Sequence, residues 1–297
     1  MTLRQKQREL RSKLKRRLRL YREDPRGWLA YFRIVRLIPE MRMYYSVAVK
    51  SRFDALAKEK GCEDLTELYR LVRRDPAELE QVKSMLTWKG SHFFRGEDWP
   101  FFIKTCLAPL AGRKKLRFWC AGCSSGEEVY SLLMALLDYV PAEEIEILAT
   151  DYNDELLAKC AAGDYGPSNI PEIPEQYLRH MEKRKSHYVM RPELRAAVHT
   201  RNLNLLTDPY PSGFDGILCR NVLKFFTFSQ IAVCHEKLAD SLKEGGFLFL
   251  SEDDGHRSNE RPANPAALGM EELGGRCIYR KLGKPQAQTE ETSRVLE

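Results

Sequence analysis

At 297 residues the chain is long enough to bury one large core or two modest ones, and 43% hydrophobic with 10% aromatic residues excludes a disordered protein. No apolar run approaches the roughly 18 residues of a membrane span, which argues against an integral membrane protein. The net charge of +6 is uneven: residues 1–50 hold 15 Lys and Arg against 4 Asp and Glu, a net of +11, and the remainder carries −5. A basic start without an apolar stretch behind it does not read as a secretory leader, and eight scattered cysteines fit free thiols in a reducing, cytoplasmic setting.

Residues 3–22 place Leu3, Leu10, Leu14 and Leu18 at near-helical spacing among Lys and Arg, predicting a basic amphipathic helix. Such a helix packs on its own domain or docks an acidic protein, an anionic lipid or nucleic acid. Asp24-Pro25 reads as an N-cap followed by Pro at the first helical position. Further helical patterns run over 44–59 and 64–74, split by Gly61, and Asp75-Pro76 repeats the cap signal. Residues 1–88 are therefore expected to form a basic, all-helical N-terminal domain.

From Leu116 onward short apolar strands alternate with helices: RFWC, then EEVYSLLMALLDYV; EIEILATD, then DELLAKCAAGDY; FDGILCRN, then SQIAVCHEKLADSLK; GGFLFLSE and RCIYRKL close the series. That alternation predicts an α/β, Rossmann-like, mainly parallel sheet with helices on both faces. The expected boundaries are 89–283 for this domain, 166–203 for a small inserted subdomain, and 284–297 for a disordered polar tail.

The most informative stretch is RFWCAGCSSGEEVYSLLMAL, residues 117–136. A strand runs through a small-residue loop, Ala121 to Gly126, into a helix opened by two glutamates. This arrangement brings bare backbone N–H groups to a ligand, and Asp151 at the tip of the next strand suits a ribose hydroxyl. The loop is not GxGxxG, and acidic residues at the helix start disfavour a phosphate. A cationic, phosphate-free nucleoside such as S-adenosylmethionine (SAM) fits better. Cys120 and Cys123 form a lone CxxC with no partner pair nearby, so a metal is not expected.

Four blocks now stand in order: SHFFR at 91–95, AGCSSGEEVYSL at 121–132, ATDYNDELLAKCAAGDY at 149–165, and NLL…FDGILCRNVLKFF at 204–226. Together they resemble the CheR-type chemoreceptor methyltransferases, SAM-dependent enzymes that esterify glutamate side chains on receptor helices. The resemblance spans residues 44–282. It implies that Ser91 and Arg95 reach the amino-acid portion of SAM, that Gly122, Ser124 and Gly126 form the close-approach loop, and that Glu127 faces the cationic end. It further implies that Asp151 takes the ribose, that Asn204 and Leu205 flank the adenine, and that Arg220 and Asn221 line the cleft near the sulfonium. A guanidinium suits the carboxylate of SAM because it can grip it with two donors. Glu128 reads as a helix-start residue, and Phe93 and Phe94 as anchors for Arg95.

The chain departs from the family pattern in three places. Lys89-Gly90-Ser91 stands where Asn-x-Thr is usual, Phe225-Phe226 where Tyr-Phe is usual, and Ser251-Glu252-Asp253-Asp254 where Gly-His-Ser-Glu is usual. These changes fall on the acceptor side. The insert, which in the family can dock a receptor tail, is compact, which argues against that tether here. The implied reaction is methyl transfer to a carboxylate, in which Arg95 and Arg220 act by positioning, and Arg220 or one of Arg113, Lys114 and Lys115 holds the acceptor. The expected partner is an acidic, helical, receptor-like protein. The alternatives are the same chemistry on a small molecule, peptide or RNA, and a SAM-binding scaffold without turnover.

Overall fold

The structure, a computed structural model, describes residues 22–38, 47–86, 91–251 and 261–283. The basic helix expected over 3–22 lies outside these residues but for its last position, as do Lys89, residues 252–254 and the polar tail. The chain divides into two compact units, 1–88 and 89–297.

The first unit contains α1 (Pro25–Arg36), α2 (Val47–Glu59), α3 (Leu65–Arg74) and α4 (Pro76–Leu86). The Asp-Pro signals work as read: the Asp24 carboxylate accepts the Gly27 N–H at 2.8 Å and the Asp75 carboxylate accepts that of Ala77 at 2.8 Å. Asp64 caps α3 through Thr66 and Glu67. Each cap satisfies helix-start donors and contributes about 0.5–2 kcal/mol. Trp28, Tyr31, Ile34, Phe53, Leu56, Leu68 and Val72 form the core.

The second unit opens with a short helix α5 (Trp99–Phe102), which continues through a wider turn to Leu107. Then come β1 (Leu116–Ala121), α6 (Glu127–Leu136), β2 (Ile145–Asp151), α7 (Asp154–Ala162), β3 (Asp164–Tyr165), β4 (Met181–Arg184), β5 (His187–Met190) and α8 (Pro192–Arg195). They are followed by β6 (Val198–Asn202), β7 (Phe214–Cys219), α9 (Phe228–Ser241), β8 (Leu242–Leu250), β9 (Met270–Glu272) and β10 (Ile278–Lys281). The large sheet runs β6-β2-β1-β7-β8-β10-β9. Neighbours from β6 to β8 are parallel, and β10 runs antiparallel to β8 and to β9.

Alternation along β1 explains the layering. Leu116, Phe118 and Cys120 pack into one core with Val129, Leu132 and Leu136 of α6. Trp119 and Ala121 point the other way, into a core with Ile231 and Leu238 of α9. Both faces of the sheet are thus covered, as its near-continuous apolar strands require. The chain leaves β1 for β2 on one side and returns to β7 on the other. This reversal opens a crevice at the carboxyl ends of β1 and β7, the place where open α/β sheets bind ligands.

One boundary differs from the sequence reading. The small sheet, in the order β3-β5-β4, begins at Asp164, and β6 belongs to the large sheet, pairing with β2 from Ile147↔Val198 to Asp151↔Asn202. The stretch VHTRN is an edge strand whose last four residues are exposed, so it lacks the apolar alternation that marks a sheet strand. Residues 198–202, within the expected insert, are thus a strand of the large sheet.

Candidate active site

The loop after β1 is held down by β2. The N–H groups of Gly122 and Cys123 both donate to the Thr150 carbonyl, at 2.7 and 2.8 Å, and Gly126 N–H donates to Cys123 O at 3.0 Å. Ser124 N–H donates to Oδ2 of Asp151 at 2.9 Å. The sequence suggested bare amides here; these four are instead spent inside the protein, because the β1 loop curls back over the end of its parallel neighbour. What the loop offers is close approach and the Ser124 hydroxyl, which is buried and finds no protein partner. Gly122 (φ +79°) and Gly126 (φ +94°) have left-handed backbones, and a Cβ would lie 2.3 Å from Val222 Cγ2 and 2.6 Å from Cys160 Sγ respectively. Only glycine combines that backbone with that space.

Asp151 ends β2. Its Oδ1 accepts Asn153 N–H at 3.0 Å, and burial still pushes its carboxyl above the ordinary aspartate value despite these backbone bonds. Leu203 N–H donates to the Asp151 carbonyl at 3.0 Å, which brings Asn204 and Leu205 beside this tip. The Asn204 side-chain oxygen accepts Leu206 N–H, and Leu205 is buried in the α9-side core.

Glu127 starts α6, a helix buried along nearly its whole length. Burial raises its carboxyl, opposed by hydrogen bonds from Ser125 and Ser91 and by the nearby His92. The Ser125 hydroxyl is 2.7 Å from Oε2. Burial also raises Glu128, opposed by Arg220 and then by Arg95. Arg220 Nη1 donates to Glu128 Oε2 at 2.9 Å, and Nη2 donates to the Arg95 carbonyl at 2.7 Å. The Arg220 guanidinium lies over the Phe249 ring at 4.4 Å. Both terminal nitrogens of Arg220 are thus spent inside the protein, while its Nε is buried without a protein partner.

The SHFFR turn is anchored as expected. Phe93 meets Tyr165 edge-on at 4.8 Å, and Phe94 stacks on Tyr177 at 4.9 Å. Phe94 N–H donates to Ser131 Oγ, whose hydroxyl donates to the Glu127 carbonyl. Asn221, with φ +59°, follows β7 and its N–H donates to Ser251 Oγ at 2.9 Å.

Arg113, Lys114 and Lys115 belong elsewhere. They precede β1, whose six residues at about 3.3 Å each put them roughly 20 Å from the loop at its other end. Lys115 N–H is taken by Glu144.

Several contributors escaped the sequence reading. Tyr165 O–H donates to the Ser125 carbonyl at 2.9 Å, and Glu172 takes both His92 Nδ1 at 2.6 Å and Phe93 N–H at 3.1 Å. Glu128 is the third: a second carboxylate entering an apolar helix was a usable signal, since a buried charge needs a counter-ion.

The donor set suits SAM. A buried carboxylate, Glu127, and a half-buried one, Asp151, have no guanidinium or ammonium among the partners that shift them, and SAM brings an ammonium and a sulfonium. The unpartnered Ser124 hydroxyl adds a polar contact between them. Among the described residues no group of three His, Cys, Asp or Glu could hold a metal ion. Nor is any described helix long and apolar enough to cross a membrane.

The family model described as "CheR methyltransferase, SAM binding domain" matches residues 89–265. A "Chemotaxis protein methyltransferase" of Listeria innocua is 34% identical over 255 residues, covering 84% of this chain and 95% of the relative. Its counterpart in Listeria monocytogenes is 33% identical with the same coverage. "Chemotaxis protein methyltransferase 1" of Pseudomonas aeruginosa is 32% identical, covering 68% and 79%. With a SAM-binding domain matched over most of the second unit and the Listeria relatives aligned across 95% of their length, the chain belongs to the CheR methyltransferase family of SAM-dependent enzymes.

Proposed function

We propose that the chain transfers the methyl group of SAM to glutamate side chains of chemoreceptors, forming a methyl ester and S-adenosylhomocysteine. The observation that carries this reading is the meeting of the four family blocks at the carboxyl ends of the parallel strands, around the buried Glu127 and the half-buried Asp151. In this assignment Asp151 accepts from a ribose hydroxyl; a carboxylate has about four acceptor sites, and three backbone donors leave one open for it. Glu127 accepts from the amino group, Ser91 and Arg95 hold the carboxylate, and Gly122, Ser124 and Gly126 allow close contact. Asn204 and Leu205 flank the adenine, and Asn221 lines the cleft, while Arg220 acts only by positioning.

When bound, SAM supplies an electrophilic methyl group on a sulfonium. An acceptor glutamate is already ionised at pH 7, so the protein need not remove a proton. Its task is to hold the acceptor carboxylate in line and to exclude water from it. The acceptor is proposed to be an acidic helical segment, because the first 50 residues carry the net +11 that would attract one. Residues 3–22 are proposed to contribute to that docking, in a cytoplasmic setting.

Calorimetric titration with S-adenosylhomocysteine tests the cofactor assignment, with Asp151→Ala and Arg95→Ala as controls. Micromolar binding weakened by about tenfold or more in both variants supports it; no binding by the folded protein rejects it. Transfer of labelled methyl to a receptor signalling fragment tests the acceptor. Base-labile label at glutamates supports the reading, and label found only on RNA or small molecules rejects it.

A further inference from the structure

We infer that Glu128 and Arg220 form a positioning pair that sets Arg95 through its main chain. The inference rests on the assignment of Arg95 to the SAM carboxylate. Three observations carry it. First, the Arg220 side chain is only 4% exposed and Glu128 only 16%, so their pair at 2.9 Å is an internal one. A buried ion pair seldom adds stability over an apolar pair of the same shape, so its presence in this core points to a geometric task.

Second, the other end of the same guanidinium donates to the Arg95 carbonyl at 2.7 Å. Arg95 sits between Phe94 at φ +47° and Gly96 at φ +89°, two left-handed residues that make it the apex of a tight turn. A Cβ on Gly96 would come within 3.2 Å of Arg220 Nη2, so the turn is wrapped closely on the guanidinium. Third, the plane of Arg220 is fixed by aromatic rings, Phe249 at 4.4 Å and Trp99 at 5.9 Å. The fork therefore has one orientation, with Glu128 on one tine and the Arg95 carbonyl on the other. The two adjacent glutamates of α6 divide the work: Glu127 faces the cofactor site, and Glu128 holds the residue that holds Arg95.

The pair acts on the amino-acid end of the cofactor and not on its nucleoside end, and that separates a positioning role from general support of the fold. The test titrates the full-length protein and its Glu128→Gln variant with two ligands, S-adenosylhomocysteine and methylthioadenosine, which keeps the nucleoside and lacks the amino acid. The variant is expected to bind S-adenosylhomocysteine about tenfold more weakly, with methylthioadenosine affinity within about twofold of the parent. In an Arg95→Ala background, Glu128→Gln is expected to add less than about twofold, because residues acting as one unit are not additive. Equal losses for both ligands, or the same loss with and without Arg95, overturn the inference. If Glu128→Gln fails to fold, Arg220→Lys serves in the same scheme, since an ammonium keeps the charge but not the two-tined fork. A parent protein that binds neither ligand overturns the cofactor assignment and this inference with it. A parent that binds both, with additive losses, overturns this inference alone.

Discussion

Oδ2 of Asp151 accepts the backbone N–H of Ser124 at 2.9 Å, so the tip of β2 and the loop after β1 move as one piece. Asp151→Asn keeps the size of the side chain but has one oxygen where the native residue uses two, for Ser124 and Asn153. One backbone donor then faces an NH2 group, an unsatisfied contact worth about 1–3 kcal/mol. Loss of the charge also relieves burial of a carboxylate, so the two effects offset in stability but not in ligand binding. The expected result is a dissociation constant for S-adenosylhomocysteine raised by about tenfold or more, roughly 1.4 kcal/mol, with little change in the urea midpoint.

Gly122→Ala tests the close packing of the loop. Every near contact of the added methyl is with the Val222 side chain, the shortest at 2.3 Å, and the residue keeps φ +79°. Overpacking of this kind costs about 1–3 kcal/mol, and a left-handed alanine a further 1–2 kcal/mol. Val222→Ala in the Gly122→Ala background removes the clash and leaves the backbone strain. The double variant is thus expected to be more stable than the sum of the single changes predicts, measured by urea denaturation as a coupling of about 1 kcal/mol or more. Additive losses would mean that the loop shifts away from Val222 at no cost.

Much of this geometry could be read from the chain because the signals are local. Asp24 and Asp75 announce helix starts, and RFWCA, a small-residue loop and EEVYSLLMAL announce a strand, a turn and a buried helix within twenty residues. The family blocks then gather at one end of the strands because parallel strands put all their carboxyl ends together. What stayed hidden depends on pairs far apart in sequence. Glu128 and Arg220 are separated by 92 residues and Phe93 and Glu172 by 79, and no periodicity links them. The partners of the loop amides are hidden for the same reason: nothing local says that the Thr150 carbonyl returns to take two of them. β6 was hidden because an exposed edge strand carries no apolar stripe.

Glu127 predicts a proton linkage. Its carboxyl in the folded protein is raised by burial above the ordinary glutamate value, so between the two values the native state binds more protons than the unfolded chain. This group's contribution therefore favours folding as pH falls through that window and opposes it above. The groups facing it, the Ser125, Ser91 and Asn169 side chains and His92, include no permanent cation. A bound ammonium lowers the carboxyl again, so binding at a pH just above the ordinary glutamate range is expected to release a proton. Titrations in buffers of different ionisation enthalpy measure this directly. Glu127→Gln should abolish the release and weaken binding; a release unchanged in that variant assigns the proton to another group.

Ser251 stands where the family pattern has glycine, and its hydroxyl accepts the N–H of Asn221 at 2.9 Å. Asn221 has φ +59°, a backbone that non-glycine residues adopt only where the surroundings hold it. In a chain with glycine at 251 that amide would need another acceptor, so the serine is a local replacement with a structural task. Ser251→Ala removes the acceptor while leaving the packing of this buried position nearly unchanged. The expected loss is about 0.5–1.5 kcal/mol of stability, the net worth of a partly buried hydrogen bond. Because Asn221 is assigned to the cleft and not to the nucleoside, affinity for S-adenosylhomocysteine is expected to stay within about threefold while the rate of methyl transfer falls. Equal effects on binding and turnover would place Asn221 against the cofactor itself.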